Sequence, residues 1–251
     1  MPFPELRGNL SAIHFPAIAE LKLDGEFNWL IKEKGDCYLI NKRGKERRGF
    51  PALHGASAVL PDGKYICELY WREGKAGMLY EFLKHQDDDT LRFSVIDVVE
   101  IEGVDVTQKP YIDRLEFMCE VTKPSGPLGG YKTVNSPVEV EAFFQMIVAM
   151  GYEGIVVKDL NSPLIFGPCS WVKIKKKDES EFSIASIDPV KERIEVNVFT
   201  PSKTGHKTRQ VGVKVCNKDK AGLKVGDMVR IEHQGILSEG GLRHPVYKGR
   251  R

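Results

Sequence analysis

The hydrophobic pattern of this chain reads mostly as strands. Residues 26–45, "EFNWLIKEKGDCYLINKRGK", hold two β-rich runs around Lys34, Gly35 and Asp36, which is the pattern of a hairpin. "GKYICELYW" (63–71) and "LRFSVIDVVEIEG" (91–103) predict further strands. The clearest helix lies in "SPVEVEAFFQMIVAMGYEG" (136–154). Ser136 suits its N-cap, Pro137 its first position, and Glu139 completes a capping box. Ala142, Phe143, Met146, Ile147 and Met150 recur at helical spacing, and Gly151 offers a left-handed stop. The pattern shifts at "WVKIKKKDESEF" (171–182) to short strands separated by turns: "EFSIASIDP", "RIEVNVFTP", "RQVGVKVCN" and "GDMVRIEHQGIL". Several strands over so short a stretch predict a small barrel such as an OB-fold. The boundary is placed near Asp178, giving domains 1–177 and 178–251; one continuous β-rich domain is the alternative.

Composition narrows the class. The 251 residues suffice for one large domain or two smaller ones, and 41% hydrophobic with 29% charged residues is a globular balance. With 37 basic against 35 acidic residues the net charge is only +2, so attraction to a polyanion must come from local patches. The five cysteines are widely spaced with no CxxC pair, and the six histidines are scattered, which indicates neither a zinc site nor a disulfide framework. "MPFPELRGNLSAIHF" lacks the charged start and apolar run of a signal peptide, and no stretch is long enough to span a membrane. A reducing cytoplasm is the expected compartment.

Three groups of residues suggest chemistry. In "ELKLDGEF" (20–27), Lys22 and Asp24 point to one face if the segment is a strand, and Gly25 allows a turn. That pair is either a surface ion pair before a hairpin or a nucleophilic lysine. An amine attacks phosphorus only when neutral, and nearby cations favour that form. "SWVKIKKK" supplies cations: Lys173 and Lys175 alternate with Val172 and Ile174, sharing one face from which both could hold a phosphate. Alone, such a run is more often a solvated edge strand. Glu68 in "YICELYW" and Glu153 before an Ile-Val-Val run are carboxylates in apolar settings, costly unless paired or metal-bound. Oxygen ligands of this kind suit Mg²⁺ beside a nucleotide's phosphates, though a structural salt bridge explains either glutamate equally well.

"KLDG" (22–25), "ICEL" (66–69), "DVVEIEG" (97–103), "EGIVVK" (153–158) and "WVKIK" (171–175) stand in an order and spacing that resembles the nucleotidyltransferase motifs of ATP-dependent polynucleotide ligases. "NSPLIFGPCSWVKIK" and "GLRHPVYKGRR" are similar to stretches of bacterial, archaeal and phage DNA ligases, so the resemblance covers nearly the whole chain. It implies an α+β fold: an adenylation domain of antiparallel sheets with helices, followed by a small β-barrel OB-fold domain. It also implies that Lys22 attacks the α-phosphate of ATP to form a lysyl-AMP, with Lys173 and Lys175 holding that phosphate. By the same resemblance Glu68 and Glu153 bind Mg²⁺, for which Mn²⁺ can substitute, or the ribose. Asp24 positions the lysine, Glu20 recognises the adenine amino group, and Arg43 contacts the ribose and later the nick phosphate. Ile96 and Val156 sandwich the adenine. AMP then passes to a DNA 5′-phosphate, and a 3′-hydroxyl seals the strand.

The sequence departs from the family at three places. Position 27, usually basic, is Phe27; position 96, usually aromatic, is Ile96; and the usual basic and acidic tail is cut short at "YKGRR". Arg250 and Arg251 are expected to take part of that tail's role. With no stretch before Lys22 that reads as a helical DNA-encircling module and no long insertion in the barrel that reads as a latch, the resemblance leads to the expectation of a minimal two-domain ligase. Its expected partner is nicked duplex DNA, met as a monomer and without a membrane. Basic turns on each domain, with Arg43, Arg47 and Arg48 in one and Lys203, Lys207 and Arg209 in the other, suit phosphate contact. Rival readings are an RNA ligase or capping-type guanylyltransferase on the same core, and a non-catalytic nucleic-acid-binding relative. The intact lysines and glutamates argue against the last, because binding alone needs no nucleophile.

Overall fold

A computed structural model describes residues 2–7, 9–49, 51–71, 91–122, 131–202, 205–237 and 240–251. The chain divides into two compact units, 1–174 and 175–251, slightly ahead of the boundary expected at 177/178. The first unit contains two sheets. One has the order β1 (Pro4–Arg7), β11 (Gly167–Lys175), β10 (Gly154–Asp159), β2 (Ala17–Lys22), β9 (Tyr131–Val134). The other runs β5 (Glu46–Arg47), β4 (Asp36–Asn41), β3 (Glu26–Glu33), β6 (Gly63–Trp71), β7 (Leu91–Ile101), β8 (Val104–Asp105). The expected hairpin joins β3 to β4, with Lys34 at φ 49° and Gly35 at φ 87° making its two-residue turn.

Side-chain alternation sorts the strand residues into layers. On the first sheet, Ala17, Ala19, Ile155, Val157 and Val172 bury one face against helix α3 (Pro137–Ala149), through its Val140, Phe143 and Ile147. On the second sheet, Leu30, Leu39, Tyr65, Cys67 and Leu69 pack beneath α1 (Pro51–Val59) and α2 (Tyr111–Thr122). The remaining faces meet each other, where Trp29, Ile31, Ile66 and Val99 pack with Cys169 and Trp171. A helix, two sheets and a helical cover thus form successive layers.

Helix α3 starts as expected: the Ser136 hydroxyl accepts from the Glu139 amide at 3.3 Å, and Gly151 stops it at φ 89°. Two details differ. The Glu139 carboxylate reaches the Asn135 amide at 3.2 Å rather than that of Ser136. The buried stripe is Val140, Phe143 and Ile147, while Met146 and Met150 are exposed, because the sheet lies on the side of Val140. Helix α2 was not anticipated. Its buried positions Tyr111, Leu115 and Met118 have helical spacing, but Arg114 sits among them.

Arg114 is fully buried because it is matched on every side. Its Nε and Nη2 donate to Asp97 Oδ1 and Oδ2 at 2.7 and 3.0 Å, with both side chains 0% exposed. Its Nη1 donates to the carbonyls of Ser162 and Lys109. The pair ties α2 to β7 and to the turn after β10.

The second unit is an antiparallel five-stranded sheet of order β14 (Gly205–Lys214), β13 (Arg193–Ser202), β12 (Asp178–Ile187), β15 (Met228–His233), β16 (Val246–Arg250), with the short helix α4 (Asn217–Lys220). Phe182, Ile184, Ile194, Val196, Val198, Val213, Val229 and Ile231 fill its interior. Five strands wrapped around one apolar core fit the expected OB-fold, in its partly open form. Arg250 and Arg251, expected to help with a polyphosphate, are paired to Asp227 at 3.0 Å and Glu181 at 3.2 Å. No helix among the described residues is long and apolar enough to cross a membrane.

Asp97→Ala strands a buried guanidinium and is expected to destabilise the first unit by about 3–5 kcal/mol. Replacing both partners with apolar residues of similar volume is expected to cost far less. Urea unfolding followed by tryptophan fluorescence compares the two; equal losses would mean that the pair is not what the site depends on.

Candidate active site

The faces on which the two sheets meet end in charge. Along β2, Ala17, Ala19 and Leu21 face α3, while Ile18, Glu20 and Lys22 face the other sheet. The same alternation places Val156 and Lys158 of β10, and Trp171 and Lys173 of β11, on that side. The second sheet presents Ile66 and Glu68 from β6 and Ile96 from β7. Lys175 shares the strand face of Lys173 and lies at the start of the second unit.

Antiparallel pairing sets Gly154 opposite Lys22, so Glu153 lies just beyond the end of β2. Lys22 Nζ donates to Glu153 Oε2 at 2.8 Å and to the Leu23 carbonyl at 3.3 Å, with side-chain exposures of only 18% and 9% for the pair. β2 stops at Lys22, so strand alternation does not carry Asp24 onto the lysine's face as expected. Gly25 is required for space rather than for a turn. A Cβ there would stand 2.1 Å from the Leu69 carbonyl oxygen, and its φ is not positive. This close approach lets the Gly25 amide donate to the Glu68 carboxyl.

Glu68 is half-buried, and its pKa is pushed up to about 7 by desolvation first, with the Glu153 charge adding to it; Lys22, Lys42 and the Gly25 amide pull the other way. Two carboxyls therefore act on the Lys22 amine, Glu153 in direct contact at 2.8 Å and Glu68 poised to exchange a proton near neutrality.

Glu20 sits deeper. It pairs with Lys158 Nζ at 2.8 Å and accepts the Tyr111 hydroxyl. Lys158 is 1% exposed and also donates to the Ile96 carbonyl at 2.7 Å and to the Tyr111 oxygen at 3.1 Å. Burial and the neighbouring Glu20 and Asp97 charges hold the Tyr111 phenol well above its usual pKa, so it stays a donor. Glu20 and Ile96 line a narrow cleft open to solvent, together with Leu23, Ser94, Tyr111 and Tyr131. Ile96 and Val156 both flank the apolar layer between the sheets.

The basic turns sort differently from expectation. Arg43 is exposed on a turn closed by Asn41 Oδ1, which accepts from the Arg43 and Lys45 amides at 3.0 and 2.9 Å. Lys42 on the same turn is also exposed overall, but its ammonium lies over the Phe3 ring, where it feels the charges of Glu68, Lys173, Glu5 and Lys22; desolvation first, then the two lysines, lowers its pKa. β4 ends at Asn41, so strand parity assigns neither Lys42 nor Arg43 to a face, and only the folded turn brings the Lys42 ammonium over the Phe3 ring. Arg47, expected to touch DNA, is 6% exposed, and Glu26 takes its guanidinium at 2.6 Å, so its role is to hold β5 in place. Arg48 is exposed but paired with Asp36 and Glu46, and it lies 3.9 Å over the Tyr38 ring. Lys207 and Arg209 are exposed on β14; Lys203 lies outside the described residues. Lys158 and Tyr111 were not singled out from sequence, although "EGIVVK" places Lys158 on the face of Val156.

No cluster of three or more histidine, cysteine or acidic side chains forms a metal cage among the described residues. The donor set nevertheless suits Mg²⁺, which is commonly held by one or two carboxylates and completes its shell with water and phosphate oxygens. Glu68 and Glu153 supply such a pair. Cys37 and Cys67 are buried thiols whose pKa values burial raises, to about 11 for Cys37, so neither is a competing nucleophile.

A family model described as ATP dependent DNA ligase domain matches residues 3–175. The chain is 33% identical over 101 residues to a DNA ligase of Ignicoccus hospitalis, covering 38% of this chain and 17% of that protein. Aligned stretches span between 16% and 36% of the length of such curated relatives. Among solved structures, a minimal Lig E DNA ligase superposes with a TM-score of 0.73 at 16% identity, covering 100% of this chain and 99% of that one. The Chlorella virus DNA ligase-adenylate superposes with a TM-score of 0.52 at 18% identity, covering 100% and 98%. These matches favour neither an RNA-joining nor a capping relative.

Glu68 generates a pH prediction. Its folded pKa of about 7 exceeds the ordinary 4.5, so the folded chain binds the proton more tightly than the unfolded one. Its contribution to stability is therefore fully present below pH 4.5 and is lost as pH rises through 7. Denaturation from pH 4.5 to 8 with chelator present is expected to show a fall of about 3 kcal/mol that Glu68→Gln flattens. Parallel curves for the two proteins would contradict the assignment.

Proposed function

Because the chain belongs to the ATP-dependent DNA ligase domain family, we propose that it seals 5′-phosphate/3′-hydroxyl nicks in duplex DNA through an adenylate carried on Lys22. The observation that supports this most strongly is a half-buried lysine amine, 2.8 Å from Glu153, with a second carboxyl of pKa about 7 beside it. Such an arrangement holds the amine in place and gives its proton somewhere to go.

The Nζ lone pair of Lys22 forms a bond to the α-phosphorus of ATP as the bond to the bridging oxygen breaks and pyrophosphate leaves. Reaching the phosphoramidate costs the Lys22 ammonium two protons: one is handed to the adjoining carboxylates and on to solvent before the nucleotide and its ion are bound, and the other leaves with pyrophosphate as the N–P bond forms. Lys173, Lys175 and Lys42 offset the charge that develops on the phosphoryl oxygens. Glu68 and Glu153 would hold the magnesium ion that accompanies the nucleotide, and the ion would supply further charge neutralisation. Glu20, with both oxygens already engaged from below by Tyr111 and Lys158, keeps acceptor lone pairs for an exocyclic amino group at the cleft. Ile96 and Val156 supply apolar contact to the base. A DNA 5′-phosphate oxygen then displaces Lys22 from the adenylate, and the amine recovers a proton. Attack of the 3′-hydroxyl on the activated 5′-phosphate joins the strand and releases AMP. Basic side chains on both units, among them Lys207 and Arg209, favour contact with the phosphate backbone, which makes sealing sensitive to salt.

Incubation with ATP and Mg²⁺ is expected to add the mass of one AMP to the intact chain and nothing to Lys22→Ala. Lys173→Ala is expected to slow adenylate formation by roughly a hundredfold, the usual effect of losing one group that stabilises transition-state charge. Sealing by Lys22→Ala of a nick without preformed adenylate would overturn the mechanism.

A further inference from the structure

We infer that Phe3 and Phe27 form an aromatic bracket whose purpose is to hold the Lys42 ammonium at the reaction centre with its charge unspent, which makes both rings positioning residues for the phosphate chemistry proposed above. Lys42 Nζ stands 3.7 Å from the centroid of Phe3 and 5.2 Å from that of Phe27. The two rings are 6.0 Å apart and inclined at 57°. Both are fixed from behind. Phe27 packs on the Trp29 and Trp171 layer. Phe3 is held by its own backbone: its carbonyl accepts from the Gly167 amide at 2.9 Å, and Trp29 Nε1 donates to the neighbouring Pro2 carbonyl at 2.9 Å.

The site holds its lysines in two different ways. Lys22 and Lys158 are each paired to a carboxylate at 2.8 Å, which fixes the amine but cancels its charge. Among the described residues no carboxylate lies within ion-pair distance of Lys42. Ring faces attract a cation through their quadrupoles without neutralising it, and they leave its N–H groups free to donate elsewhere. A lysine held this way offers an incoming phosphate a full charge in a defined place. The inference rests on the ligase reading for what the charge does, but not for the bracket itself.

Two measurements test it on the full chain. In the ¹H–¹³C NMR spectrum, the Lys42 ε-methylene, identified by its loss in Lys42→Met, is expected upfield of the other lysines through ring currents. It should move back in Phe3→Leu and Phe27→Leu. An unshifted ε-methylene in the unmodified chain overturns the bracket whether or not the chain takes up AMP. In single-turnover adenylation, each leucine variant is expected to be roughly three- to tenfold slower, about the worth of one cation–π contact. Phe27→Tyr is expected to retain the rate, and the leucine changes should cost nothing further in a Lys42→Met background. Equal losses with and without Lys42 would show that the rings act on something else. Failure of the unmodified chain to adenylate at all would count against the ligase reading and leave the NMR result to decide the bracket.

Discussion

The register between β2 and β10 is the constraint on which the rest of this site depends. Gly154 lies opposite Lys22, Val156 opposite Glu20, and Lys158 opposite Ile18. A slip of one residue would turn every one of these side chains to the other face and put Lys158 among the apolar residues under α3. The register is held because Ile155 and Val157 are wholly buried on that face beside Ala17 and Ala19, where a charge could not be accommodated. Hydrophobic burial on one side of the sheet thus decides where the nucleophile and its carboxylate meet on the other.

The opposite face has the harder task of carrying charge through an apolar layer. Lys158 is tolerated at 1% exposure because its three N–H groups meet three acceptors: the Glu20 carboxylate, the Ile96 carbonyl and the Tyr111 oxygen. Its ammonium also lies 4.1 Å over the Trp171 ring and 4.4 Å over that of Tyr111. Arg114 and Asp97 solve the same problem one layer down, beneath Tyr111. The candidate base pocket is therefore built on two stacked polar networks rather than on hydrocarbon. That fixes the direction of Glu20 more firmly than packing alone would.

What the sequence made legible follows from what is local. The strands around "EFNWLIKEKGDCYLINKRGK", the capped helix from Pro137, and the short strands after Lys175 each carry their own periodicity and turn residues. Lys22, the proposed nucleophile, and the two glutamates beside it were readable because their motifs are short and ordered. The misses are long-range. The shared face expected of Lys22 and Asp24 does not follow from strand alternation, because β2 ends at Lys22. Arg47 reads as a basic patch in "RGKERR" but is buried because Glu26, on a neighbouring strand pair, waits for it. Helix α2 escaped notice because Arg114 interrupts its apolar stripe, and only Asp97, far away in sequence, explains the arginine.

Lys42 shows how such misses bear on function. The family resemblance leads to the expectation of a basic residue at position 27, and a phenylalanine there looks like a loss of charge when the sequence is read position by position. In the folded sheet Phe27 lies beside the end of β4, so its ring stands 5.2 Å from an ammonium carried by the turn that follows that strand. The charge need not come from the residue whose place in the sequence predicts it. What the chemistry requires is a cation at a point in space, and the turn at the end of a neighbouring strand can deliver one as well. Phe27 then becomes part of how that cation is held, and the departure from the family pattern is a change of supplier rather than a defect.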